Sequence, residues 1–219
     1  MELAANTHPG VVKTLVQLCL EAGAKQVRIF DRTCNDERRC YTQSGIRSAL
    51  ESIRSERVSL EYMDRRAYKE LTIKGGQAFD RWEFYLPVIE ADRLINVPIA
   101  KHHSISQLTL GMKNLMGVIG GNRGRLHHNI AESLSDIASV IHSDLTVVDA
   151  TRILTANGPQ GGRLQDVRDL DTLIASPDIV AADAYATTLF GLSPEQVPTV
   201  VAAARRGLGV MDLKQVRMV

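Results

Sequence analysis

The chain has 219 residues, with 44% hydrophobic and 23% charged side chains and a net charge of +1. These are ordinary values for a globular protein, and the charge balance excludes the large basic footprint of a nucleic-acid-binding domain. No apolar run approaches the roughly 18 residues needed to span a membrane, and no signal peptide opens the chain.

Thr7-His8-Pro9 reads as a helix start, with Thr7 as N-cap, and the helix runs to about Ala22 before Gly23. "KQVRIF" then reads as a strand ending at Asp31, followed by a polar loop from Asp31 to Tyr41. "SGIRSALESI" has helical spacing and "RVSLEYM" reads as a strand. "KELTI", Lys74-Gly75-Gly76 and "AFDRWEFYL" suggest a hairpin or two short strands. "DRLINVPI" is a nearly continuous apolar run, as in a buried strand. "LTLGMKNLMGVIG" and "NIAESLSDIASVIHS" carry apolar residues at helical spacing. "DLTVVDA" and "LDTLIAS" are further strands, separated by the turn-rich "TANGPQGG". "DIVAADAYATTLFGL" and "PEQVPTVVAAARRGLG" read as helices. The expected fold is α/β, a largely parallel sheet flanked by helices with a small hairpin insertion, in one domain over residues 1–219.

In open sheets of this class, ligands bind beyond the carboxyl ends of the strands. Asp31, Cys34 and Cys40 follow "VRIF"; Lys101, His102 and His103 follow "RLINVP"; Arg152, Asn157 and several glycines follow "LTVVD". The polar residues therefore collect where the rule expects a site. Four of the six histidines bracket residues 101–128, and the chain alternation lets one of His102 and His103, and one of His127 and His128, face a cleft. A neutral imidazole there can ligate a metal or act as a general base, and the bland alternative is that the rings cap turns.

Cys34 and Cys40 have C-x5-C spacing, longer than the usual spacing of structural zinc ligands, and Arg32, Arg38 and Arg39 flank them. Metal ligands, a disulfide and two unlinked thiols all fit that spacing. Cys19 sits in an amphipathic pattern and reads as core. "GVIGGNRGR" could cradle an anion on backbone N–H groups around Gly120 and Gly121, aided by Arg123, or make a plain turn. It matches neither a P-loop nor G-x-G-x-x-G. Asn157 could bond a ligand or cap its own loop, Asp149 could be a base or an orienter, and Asp183 reads as a buried, satisfied carboxylate. G-x-S-x-G and H-E-x-x-H are absent, and the few aromatics argue against nucleic-acid stacking.

"INVPIAKHH", "LTLGMKNLMGVIGGNRGRLHH", "DLTVVDATRILTANGPQGG" and "SPDIVAADAYATTLFG", in this order, resemble the domain of unknown function 362 family. "FDRTCNDERRCYTQSGI" resembles its cysteine-bearing branch. Members are often labelled iron–sulfur proteins through an appended module with C-x2-C-x2-C-x3-C runs, which this chain lacks. The resemblance also implies a further N-terminal portion before "NTHP", and in some relatives a twin-arginine export signal, which this chain lacks.

The leading expectation is a redox protein or enzyme holding an iron–sulfur cluster or a single iron or zinc ion. Cys34, Cys40 and His127 would be metal ligands, and Lys101, His102 and His103 catalytic groups. A small anionic molecule would contact Lys113, Asn114, Gly120, Gly121, Arg123 and Asn157. The alternative is a metal-free small-molecule enzyme or binding protein using the Gly/Arg loop. A structural or partner-binding subunit ranks third. No nucleic acid and no membrane span are expected, self-association is compatible with the sequence, and the cytoplasm is the default compartment unless an export signal precedes the chain.

Overall fold

The ten-residue strand over Leu145–Leu154 is the element on which the others are assembled. In the computed structural model, which describes residues 2–160 and 162–219, the chain order is α1 (Pro9–Glu21), β1 (Val27–Ile29), α2 (Glu37–Gln43), α3 (Ile46–Glu51), β2 (Val58–Leu60), β3 (Tyr68–Thr72) and β4 (Arg81–Tyr85). Then come α4 (Leu86–Ile89), β5 (Ile95–Asn96), β6 (Ile99–His103), β7 (Gln107–Thr109), α5 (Gly111–Asn114), α6 (Ile130–Ala138), β8 (Leu145–Leu154), β9 (Val167–Ser176), α7 (Ile179–Thr188) and α8 (Pro198–Arg205). Gly161 of "TANGPQGG" lies outside the described residues.

The fold class is α/β, as expected. Strands β5 and β6 both run parallel to β8, Ile95 opposite Leu145 and Ile99 opposite Asp149. β7 turns back antiparallel on β6, and β9 antiparallel on β8, completing five strands. β1 and β2 form a separate parallel pair, and β3 with β4 form the expected hairpin. β8 carries a nearly unbroken buried run because it is flanked by strands on both sides and covered by helices. Val148 and Ile153 from this strand join Met112, Leu134, Ile137 and Phe84 in one hydrophobic cluster.

Four local readings shift. The N-cap of α1 is His8, whose Nδ1 accepts the Gly10 N–H; the Thr7 hydroxyl bonds Val97 O instead. The loop expected from Asp31 to Tyr41 contains α2, capped by Asp36 accepting from Arg39 N. Its sequence "ERRCYTQ" has only the adjacent Cys40 and Tyr41 as apolar residues, with Tyr41 buried, so no stripe at helical spacing marks it. "LTLGMKNLMGVIG" divides into the end of β7, the single turn α5 and a 3-10 turn over Leu115–Val118. Lys101, His102 and His103 lie within β6 rather than after it, since pairing with β7 extends the strand.

Asp149, fully buried on β8, joins the sheet to α1. It accepts the His8 N–H at 2.6 Å and the Thr151 N–H and hydroxyl at 3.0 and 2.7 Å. Asp149→Ala removes the acceptor of the part-buried His8 and Thr151 donors, and we expect a loss of about 1–3 kcal/mol in urea unfolding. Hydrogen exchange of the Thr7–Val12 amides should rise with it; wild-type protection there would show that α1 is anchored by other contacts.

Candidate functional site

The site begins on one face of β6. Successive strand residues alternate sides, so Lys101 and His103 share a face and His102 takes the other. Lys101 Nζ donates to Ala5 O at 2.6 Å, a carbonyl placed there by the Asp149 and Val97 contacts of the next few residues. The buried His103 closes the β6–β7 turn, its Nδ1 accepting the N–H groups of Ile105 and Ser106 at 3.1 and 3.3 Å. Its ring stacks on His127, with centroids 5.8 Å apart and planes 17° from parallel.

Lys113 comes from α5, a turn fixed from two directions. The buried carboxylate of Asp183, on α7, accepts the Gly111 and Met112 N–H groups at 2.6 and 3.0 Å. Asn96, on β5, donates to Gly111 O and accepts from Asn114 Nδ2, both at 2.9 Å. Held in this way, Lys113 places its Nζ 3.0 Å from Met116 Sδ and 3.3 Å from His127 Nε2.

The third wall follows β1. Asp31 lies against Gly117, where a Cβ would sit 1.9 Å from Asp31 Oδ1, so only glycine admits this approach. Arg32 N donates to Gly117 O at 2.6 Å. The Arg123 guanidinium spans the same junction, donating to Arg32 O, Met116 O and Thr33 O at 2.6, 3.1 and 3.2 Å. Cys34 is exposed one residue further on, and Cys40 is half-buried on α2; both are free thiols.

Burial dominates the electrostatics. It pushes Lys113 down to about 8, with Arg123 and Lys101 adding to the effect and Cys34 opposing it. It lowers Lys101 against the opposing charges of Cys34 and Asp31. His103 falls to about 4 through burial and the adjoining Lys113 charge, and His127 is lowered for the same reasons. Asp31 rises to about 6 through burial, although Arg123 and Lys101 pull it down. Among the described residues, neither Lys101 nor Lys113 has a carboxylate within salt-bridge distance; the short ion pairs all use arginine. Two largely desolvated ammonium groups thus share a space with two neutral imidazoles and a carboxyl that titrates near neutrality.

A family model described as domain of unknown function (DUF362) matches residues 1–188. The chain belongs to the DUF362 family. It is also similar to the thylakoid-associated protein sll1697 of Synechocystis sp., 29% identical over 210 residues. That alignment covers 92% of this chain and 62% of the relative, so the chain spans under two thirds of the relative's length.

In this DUF362 chain the residues singled out by sequence divide into two groups. Lys101, His103, Lys113 and His127 converge, with Cys34 near enough for its charge to act on both lysines. The others are engaged elsewhere. His102 Nδ1 accepts the Gly158 N–H at 3.1 Å on the opposite face. Asn114 belongs to the Asn96 amide ladder. Asn157 caps its own loop, donating to Asp166 Oδ2 at 3.0 Å. His128 is exposed. The glycine turn has its amides occupied by protein: Gly120 N by Glu83 O, Gly121 N by the Glu83 carboxylate and Gly124 N by Asn122. Trp82 Nε1 also donates to Gly120 O. Asp31 was visible in the sequence as a strand-end acid, but only its packing on Gly117 marks it as part of the site.

Iron–sulfur clusters and structural zinc sites take about four thiolate or imidazole ligands, and among the described residues no three His, Cys, Asp or Glu side chains gather as a metal-holding group.

Lys113 leaves a signature in stability. An ordinary lysine titrates near about 10.4, so between about pH 8 and that value the unfolded chain binds more protons than the folded one, and stability rises with pH. Lys113→Met removes this rise. Urea unfolding of both proteins at pH 8 and pH 10 should show a difference in stability that changes with pH; parallel curves would place the Lys113 titration at its ordinary value.

Proposed function

We propose that this chain binds a small carboxylate or phosphate between Lys101 and Lys113, and that Lys113 and His127 exchange a proton with it. The observation that carries this reading is the pair of desolvated ammonium groups with no salt-bridged carboxylate. Burying a cation is costly unless an anion compensates it, and neither Asp31 nor Cys34 makes a contact that does so. A bound anion would supply the compensation. With Lys113 near 8, both its acid and its base form are populated close to neutral pH, the condition for efficient general acid–base catalysis. The 3.3 Å contact to His127 Nε2 gives the proton a second position, and the stacked His103 fixes that ring.

A second reading is redox chemistry through an iron–sulfur cluster or a single iron or zinc ion on Cys34, Cys40 and His127. One observation favours it: the Cys34 sulfur and the His127 ring both lie near Lys113, so a thiol and an imidazole border the same space. This reading requires Cys34, Cys40 and His127 to draw together, since no three such side chains gather among the described residues, and further ligands to complete a cluster.

Calorimetric titration with inorganic phosphate and with acetate tests the first reading. Binding should weaken about tenfold in Lys113→Met and in Lys101→Met, the loss of one charge-assisted contact. It should also weaken as pH rises through about 8, because the ammonium that holds the anion deprotonates. Equal affinity of wild type and both variants would refute the lysine site. Stoichiometric iron or zinc in protein purified without oxygen and without chelator, lost in the Cys34→Ser/Cys40→Ser double variant, would favour the second reading.

A further inference from the structure

The end of β6 borders a cavity of about 380 Å³, lined by His102 and His103 but by neither Lys101 nor Lys113. Its lining combines polar side chains, among them His102, Ser104, Gln107 and Arg168, with the apolar Phe190 and Leu192. The volume falls in the range that holds a small organic ligand, and the mixture of an apolar surface with a few convergent polar groups is the usual composition of such sites.

The polar groups here are not engaged by the protein. Arg168 is exposed at the start of β9, and its guanidinium makes no hydrogen bond or ion pair among the described residues. The Ser104 hydroxyl and the Gln107 amide make none either. His102 is oriented by its Nδ1, which accepts the Gly158 N–H at 3.1 Å. The neutral ring then carries its proton on Nε2 and offers a donor. The approach is enforced by glycine: a Cβ on residue 158 would meet His102 O at 2.1 Å. Thr155, also on the wall, has its hydroxyl committed to Asp166 O at 2.8 Å and serves as a fixed surface.

We propose that this cavity is a second binding site, for a small acid with an apolar body, its carboxylate or phosphate head on Arg168 and His102 and its aryl or alkyl portion against Phe190 and Leu192. A guanidinium presents paired donors that match either head group. An inorganic ion would leave Phe190 and Leu192 wet, so the site should prefer an amphipathic acid. The assignment is independent of the lysine site, although His103 lines this cavity while stacking on His127.

The test uses 3-phenylpropionate and phenyl phosphate as probes, titrated into the intact chain and followed by ligand-observed NMR and calorimetry. Wild type should bind at least one of them, and Arg168→Ala, an exposed change that leaves the fold intact, should weaken that binding about tenfold. Phe190→Ala should weaken it as well while leaving inorganic phosphate binding unchanged. Lys113→Met should leave the aryl acid unaffected, which separates the two sites: failure of the lysine site would not alter this result. Binding of one probe alone upholds the proposal and identifies the head group. No binding of either probe by wild type, or equal affinity in wild type, Arg168→Ala and Phe190→Ala, would overturn it.

Discussion

The carboxylate of Asp183 against the Gly111 and Met112 amides is the contact on which the site depends. A four-residue helix has little stability of its own, because nucleating a turn fixes several dihedrals for few hydrogen bonds. The acceptor supplied by a neighbouring helix offsets part of that cost by pairing the turn's first two N–H groups. Burial pushes Asp183 up to about 7 while the two backbone donors pull it down. Gly111 is required for the approach, since a Cβ there would lie 2.8 Å from Asp183 Oδ1. From this point the chain has one path: Lys113 faces His127, Gly117 meets Asp31, and Arg123 spans to the carbonyls after β1.

The same device recurs at two other junctions. Asp149 holds the start of α1, and Asp136 accepts the Gln77, Ala78 and Phe79 amides while pairing with Arg206. The first fixes the N-terminal helix to the sheet; the second fixes the turn of the β3–β4 hairpin to α6 and α8. Each of the three buried acids therefore serves backbone donors that secondary structure leaves unpaired. None of them is placed to neutralise Lys101 or Lys113.

The sequence carried the α/β class, the hairpin and the core strand β8 clearly, because each rests on apolar periodicity or on turn residues. It carried α2 and α5 poorly, because one has no apolar stripe beyond the adjacent Cys40 and Tyr41 and the other is a single turn whose stability is tertiary. For the site, strand ends and histidine clustering indicated Lys101, His103, Lys113 and His127. Spacing could not show that Arg123 and the Gly120–Gly121 amides are engaged by protein acceptors, since those acceptors lie on β4 and after β1. Nor could it show Arg168 and His102 lining one cavity, which depends on the pairing of β9 with β8.

The division of labour among the cations follows from their chemistry. Arg123 is delocalised, remains charged, and carries enough donors for three carbonyls at once, so it suits a permanent clamp. A lysine in that place would satisfy fewer acceptors and could lose its proton on burial. At positions 101 and 113 that second property is an advantage. An ammonium whose affinity for its proton is already reduced by burial changes state with a modest change in its surroundings, and an arriving anion is such a change: it raises the lysine's proton affinity and draws a proton toward the site. Ligand binding and proton uptake are then coupled by the same desolvation that left the lysines uncompensated.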